Sequence, residues 1–169
     1  MPGDKYLYNN AGTVTEKTSV QASAGAADAG KIPALDATGR FDTTMMPSGI
    51  GADTKTIAAS EALAAGDLVN IWNSSGAKVR KADASVAGKE AHGFVLASVA
   101  NGANATVYFE GADTQVSGLT PGPIFLSAAT PGAATSTAPS GSGQVVQRVG
   151  FAVAATELNF QSQPPIVLA

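Results

Sequence analysis

A hydrolase of the Ser-His-acid kind needs a histidine beside an exposed serine, and this chain has one histidine. His92 lies in Ala91-His92-Gly93-Phe94, at the entry to an apolar run. No Gly-x-Ser-x-Gly elbow surrounds any serine, so His92 reads as a turn-edge histidine bonded to backbone and not as a general base. One histidine and no cysteine cannot fill a tetrahedral zinc site, and no disulfide can form. Paired carboxylates are the remaining route, since glycoside cleavage needs only two acids flanking a bond. Glu110 with Asp113 and Glu61 with Asp67 are the candidates. Both pairs read as solvated loop acids, because a sugar site also wants aromatic platforms. Six Phe, three Tyr and one Trp leave few rings beyond the core. Ser140-Gly141-Ser142-Gly143 lacks the following Lys-Ser/Thr pair of a phosphate cradle. Asn104-Ala105-Thr106 fits a glycosylation sequon, which is idle without a secretory signal. The expectation is a protein that is no enzyme and uses no cofactor or metal.

The elements that would position these residues are short strands. Asp67–Trp72, the turn Asn73-Ser74-Ser75-Gly76 and Ala77–Lys81 form a strand–turn–strand signal. Gly93–Val99 is an apolar run of strand length. Thr106–Glu110 alternates, with Val107 and Phe109 on one face and Thr106, Tyr108 and Glu110 on the other. Ile124–Leu126, Gln144–Val153 and Glu157–Phe160 continue the series. Asn101-Gly102, Thr120–Pro123 and Thr130-Pro131-Gly132 punctuate it. Ala58–Ala65 (AASEALAA) is balanced between a short helix capped by Ser60 and an extended segment. Regularly spaced strands of this kind predict a sandwich or barrel.

The first third has a different texture. Tyr6-Leu7-Tyr8 and Thr13-Val14-Thr15 flank Asn9–Gly12 as a small hairpin, and residues 21–30 (QASAGAADAG) read as a flexible linker with little to bury. A two-stranded hairpin alone is marginal in water. In residues 30–47 (GKIPALDATGRFDTTMMP), Pro33 and Pro47 stop any continuous element and Asp36–Gly39 forms a turn. Ile32, Leu35, Phe41, Met45 and Met46 then become apolar anchors on an extended ribbon. The division is an extended arm or stem over 1–54 and a β-domain over 55–169.

The net charge of −3 argues against nucleic acid, since neutralising phosphates needs clustered Lys and Arg. The one basic cluster, Lys78-Val79-Arg80-Lys81, reads as a solvated strand edge. No apolar run approaches the ~20 residues that span a bilayer, so no membrane partner is expected. The start of the chain, MPGDKYLYNN, has no signal-peptide core, and synthesis in the host cytoplasm is the expectation.

Ala29-Gly30-Lys31-Ile32-Pro33-Ala34-Leu35-Asp36-Ala37-Thr38-Gly39-Arg40-Phe41-Asp42 with Met45-Met46-Pro47 resembles a segment found in surface proteins of tailed bacteriophages, where it follows a small-residue linker and precedes a β-domain. Ala65–Asn70, Val79–Ala84, Gly118–Gly122 with Phe125-Leu126-Ser127, Thr137–Gly143, Val146–Gly150 and Gln163–Ala169 are similar to the β-domain of the same proteins. The set covers most of the chain. The resemblance is to capsid decoration (cement) and head-fibre proteins, and similar domains occur in tail fibres. It implies a homotrimeric structural virion protein on the outer capsid surface, with the major capsid protein as its partner.

The expected fold is mainly β, with a compact β-sandwich or β-barrel-like domain preceded by the extended N-terminal arm. Ile32, Leu35, Phe41, Met45 and Met46 are the expected inter-subunit or capsid contacts. The alternative is a fibre or receptor-binding protein whose β-domain is a tip binding host surface glycan.

Overall fold

The computed structural model describes residues 4–46 and 52–169. The chain divides into two compact units, Met1–Gly51 and Ala52–Ala169.

In the first unit, β1 (Lys5–Asn10) and β2 (Thr13–Thr18) form an antiparallel hairpin in register from Lys5↔Thr18 to Asn10↔Thr13. A two-residue loop that matches strand twist needs positive φ at both central positions. Ala11 (φ 50°) and Gly12 (φ 94°) supply it. Asn9 Oδ1 accepts from the Gly12 N–H at 2.8 Å, which helps hold an alanine in a conformation it rarely adopts. Past the hairpin the chain doubles back. Val20 N–H donates to Ile32 O at 3.0 Å and Ala34 N–H to Val20 O at 2.7 Å. Two 3-10 turns, Gly25–Asp28 and Thr43–Met45, lie in the remainder. None of residues 4–46 is buried. Pro47, the second stop read from sequence, lies outside the described residues.

The second unit is built from β3 (Thr54–Ala59), β4 (Leu68–Asn73), β5 (Ala77–Lys81), β6 (Gly93–Phe94) and β7 (Asn104–Tyr108), then β8 (Gly111–Asp113), β9 (Gly122–Leu126), β10 (Ala134–Thr135), β11 (Val145–Val146), β12 (Arg148–Ala154), β13 (Glu157–Phe160) and β14 (Ile166–Val167). The first five close into a barrel in the order β3-β5-β4-β6-β7. The order β10-β9-β12-β13-β8 makes an antiparallel sheet, and β11 pairs with β14. The protein is mainly β, as its short punctuated strands predict.

Side-chain alternation explains how this unit fills. Ile57, Ala59, Val69, Val79, Ala105 and Val107 point into one cluster with Leu63 and Val95. A narrow barrel has room only for small and branched side chains, and the alanines fit it. A second cluster joins Leu68, Phe94, Ile124, Leu126, Val149, Leu158 and Phe160. Phe94 stacks on Tyr108 with ring centroids 5.4 Å apart and tilts against Phe160 at the same distance. Each large apolar side chain so buried contributes about 1.5–3 kcal/mol. Tyr108 and Val107, on opposite faces of β7, therefore serve two cores.

Four local readings change or are decided. Ala58–Ala65 forms no helix: Ala58 and Ala59 belong to β3, and the Ser60 hydroxyl donates to Val79 O at 3.0 Å instead of capping. Burial of Ala59 and Leu63 inside the barrel overrides their helix propensity. Gly93–Val99 is no single strand. Only Gly93–Phe94 pairs as β6, while Val95 N–H turns to Asp67 O at 3.1 Å and Val99 bridges Leu63. Lys78–Lys81 is not an edge, because β5 lies between β3 and β4.

The fourth change is at Gln147, which splits the Gln144–Val153 run into β11 and β12. Its buried carboxamide accepts from Ala91 N–H at 2.7 Å and donates to Ala91 O at 2.9 Å. It does for residue 91 what a neighbouring strand would otherwise do. Three residues on, Gly150 (φ 141°) sits where the β12–β9 register shifts. A Cβ there would lie 2.0 Å from Asn159 O, so no other residue fits that backbone.

Candidate interaction surface

The five arm residues picked from sequence stand on a backbone fixed by polar contacts. Asp36 Oδ1 accepts from Thr38 N–H (2.8 Å), Thr38 Oγ1–H (2.7 Å) and Arg40 N–H (3.0 Å). Asp36 N–H donates to Arg40 O and Gly39 N–H to Asp36 O, closing the expected turn. That turn reverses the chain between Leu35 and Phe41. Asp42 caps the second 3-10 turn by accepting from Thr44 N–H (2.9 Å) and its hydroxyl (2.6 Å). Thr44 Oγ1 in turn accepts from Ser23 N–H, and Gln21 Nε2 donates to Leu35 O at 2.7 Å. Asp28 accepts from Ala24 N–H and from Lys31 Nζ, each at 2.6 Å.

The stretch 21–30, expected as a flexible linker, is thus tied to the anchor segment at Gln21 and Ser23. Side-chain bonds from Lys31, Thr38 and Thr44 are the leading reasons that Asp28, Asp36 and Asp42 hold their carboxyls below the usual range; backbone N–H bonds add to each.

On this frame Ile32, Leu35, Phe41 and Met46 are 43–53 % exposed, and Met45 is half-buried. Holding apolar groups out on a pre-ordered backbone lowers the entropy lost when a partner covers them. The hairpin adds Leu7 and Val14, 77 % and 64 % exposed, which sequence reasoning placed in strands but not among the contacts. The signal for them was available: a hairpin with nothing to pack against leaves its apolar side chains outside.

Of the residues weighed for catalysis, His92, Glu61 and Asp67 are bonded within the β-domain. His92 Nδ1 accepts from Ile71 N–H at 3.0 Å and its own N–H donates to Val69 O, so the residue lengthens the ladder of β4 as a turn-edge histidine would. Glu61 Oε1 accepts from Lys81 N–H, and Asp67 pairs with Lys81 Nζ at 3.1 Å. Glu110 is exposed whereas Asp113 is buried, so the pair shares no surface. Burial pushes the Asp113 carboxyl above its usual range, with the Asp67 charge adding to it and the Gln115 N–H bond opposing it. Asp113 Oδ2 has no hydrogen-bond partner. No group of three or more His, Cys, Asp or Glu able to hold a metal ion occurs among the described residues.

Trp72, the one indole, is also occupied. Its Nε1 donates to Ser60 Oγ at 3.1 Å and the Arg80 guanidinium lies 4.6 Å above its ring. Arg80 is fixed there by bonds to Asn70 Oδ1 and Gly88 O. An open cleft of about 450 Å³ in the β-domain is lined by Ser127, Thr135, Thr137, Ser140 and Gln144 together with three alanines and Pro139, with no aromatic ring. The exposed apolar side chains of the arm and the open cleft are the surfaces this arrangement offers for association.

A scan against protein-family profiles matches none, and neither the curated proteins nor the solved structures contain a match.

Proposed function

We propose that this chain is a structural virion protein of a tailed bacteriophage that decorates and stabilises the outer capsid shell as a homotrimer. The carrying observation is the arm: a backbone whose described residues 4–46 include none buried and which holds Ile32, Leu35, Phe41 and Met46 out to solvent. Such side chains gain about 1.5–3 kcal/mol each when a neighbour covers them, against ~0–1 kcal/mol for an exposed ion pair. Met45 and Met46 suit the irregular pockets of a neighbouring subunit or of the major capsid protein. The work is mechanical. Many weak contacts repeated by symmetry hold a shell against internal pressure through avidity.

The experiment is light scattering after size exclusion, on the full chain and on a deletion of residues 1–50. The full chain is expected at three times 16.7 kDa. The deletion is expected to stay soluble and β-rich, because barrel and sheet use residues from Thr54 onward, and to lose the trimer or its attachment to shells. A monomer at micromolar concentration would sink the proposal. The open cleft, with its serines and threonines, favours a second reading, a fibre or receptor-binding protein that takes host glycan there. Labelled particles separate the two: a label spread over the shell supports decoration, and a label confined to a vertex or tail supports the fibre.

A further inference from the structure

The geometry points to a second copy of this chain as the partner of the β1–β2 hairpin: β1 pairs antiparallel with β1 of another copy about a two-fold axis centred on Leu7. Among the described residues the hairpin is a two-stranded sheet with no strand on either outer edge, and none of its residues is buried. Three or more strands are generally needed for a sheet to stand alone in water.

The two edges are unlike. β2 carries Glu16 and Lys17, the charges that protect an exposed edge, whereas β1 carries Tyr6-Leu7-Tyr8 with only Lys5 beside them. Antiparallel pairs alternate between bonded and non-bonded, and Ser19 N–H bonding Asp4 O sets the phase. Tyr6, Tyr8 and Asn10 therefore spend their backbone groups on β2, while Lys5, Leu7 and Asn9 point theirs at the open edge.

Two-fold pairing on Leu7 sets Leu7 against the second copy's Leu7, Lys5 against its Asn9, and Tyr6 against its Tyr8. Every backbone group on that edge finds a partner, aromatic rings face aromatic rings, and no like charges oppose each other. The same operation on β2 is poorer, since centring on Val14 overlaps only Thr13–Thr15 before the turn. Centred on Glu16 or Lys17 it opposes identical charges, and centred on Thr15 it sets Val14 against Glu16. Centring β1 on Tyr8 leaves Leu7 facing Asn9. The favoured product is a four-stranded sheet, β2-β1-β1-β2, with the two Leu7 side chains adjacent on one face. This goes beyond the trimer reading, because a two-fold contact cannot build a threefold. It would instead link one trimer to the next.

The absence of cysteine makes the test clean. Opposed residues in a bonded antiparallel pair lie about 5.5 Å apart at Cα, within the ~4.4–6.8 Å a disulfide accepts. Under mild oxidation, Leu7→Cys in the full chain is expected to double its mass on a non-reducing gel. Val14→Cys, comparably exposed and on the same face but on the outer strand, is expected to stay at 16.7 kDa. A mixture of Lys5→Cys and Asn9→Cys chains, which keeps Leu7, is expected to cross-link where neither does alone. Leu7→Cys remaining single, Val14→Cys cross-linking as readily, or no product from the mixture would each overturn the pairing. A trimer mass without cross-links would reject the hairpin contact and leave the trimer standing; cross-links without a trimer would do the reverse.

Discussion

Asp36 and Asp42 in the arm and Asp83 and Asp113 in the β-domain use one local device, a carboxylate accepting from the backbone N–H two residues on. In the arm that bond has company. Thr38 and Thr44 add their hydroxyls, the carboxylates stay wet, and their pKa values fall. In the β-domain Asp113, the last residue of β8, is buried with one oxygen unpaired, and its pKa rises. The same turn therefore stabilises one region through charge and burdens the other with it. The arm is ordered by polar bonds and leaves its apolar groups exposed; the domain spends its apolar groups on itself and tolerates a stranded polar atom.

Four experiments would break or sharpen this contrast. The largest effect is expected from Gln147→Ala, which orphans the buried Ala91 N–H and opens a cavity. A loss of about 2–4 kcal/mol in urea unfolding is expected, with no change in amide shifts of residues 4–46. An equal disturbance in both regions would mean that they do not fold as separate units.

Acid should act on the two regions with opposite sign. The lowered pKa values of Asp28, Asp36 and Asp42 stabilise the arm fully above the ordinary carboxylate value of 3.8, and that contribution is lost as pH falls through the lowered values. The raised pKa of Asp113 works the other way: the domain gains as pH falls through the raised value, and the gain is complete below 3.8. Amide shifts of Thr38, Arg40 and Thr44, followed by NMR through a pH titration, should therefore drift to unstructured values at a pH where β8 and β13 stay native.

A smaller effect is expected from Asp113→Asn, which keeps an oxygen for Gln115 N–H. Its stability should lack the acid gain of the parent, so the two urea midpoints converge as pH falls through the raised Asp113 value. Parallel curves would place the burden elsewhere. Smallest of all for the isolated chain is Phe41→Ala with Met45→Ala, expected to change unfolding by no more than about 0.5 kcal/mol. The same pair should weaken assembly, measured as the concentration at which the oligomer dissociates. If it decorates shells like the parent, the anchor segment is only a tether.

Much of the strand plan was legible because its punctuation is chemical. Asn73-Ser74-Ser75-Gly76 marks the β4–β5 turn, and Ser75 (φ 54°) and Gly76 (φ 110°) adopt the left-handed backbone such a turn demands. Barrel closure was not legible. Ala58–Ala65 has a helical composition, and only pairing with residues far along the chain makes Ala58 and Ala59 a strand. Lys78–Lys81 looked like an edge for the same reason: alternation reveals a strand but not its neighbours. At the surface, Ile32, Leu35, Phe41 and Met46 could be picked out because apolar residues are sparse there. The polar knots behind them left a fainter trace, the repeated Asp-x-Thr of Asp36-Ala37-Thr38 and Asp42-Thr43-Thr44. Gln147 gave no warning, since one glutamine in an apolar run looks the same whether it faces water or a buried amide.

The barrel seam carries a consequence for birth on the ribosome. β3 meets β7 in register from Thr54↔Tyr108 to Ala58↔Asn104, and meets β5 in parallel at Ala58↔Lys78. Its partners all emerge after it, and the antiparallel one comes last. Until then β3 has only its short parallel contact with β5 to hold it, while it carries Ile57 and Ala59, which belong inside. Non-local closure of this kind is slow, and a waiting strand is open to capture by another nascent chain. Synthesis in many copies at once would make that wait the most vulnerable moment in the life of the protein.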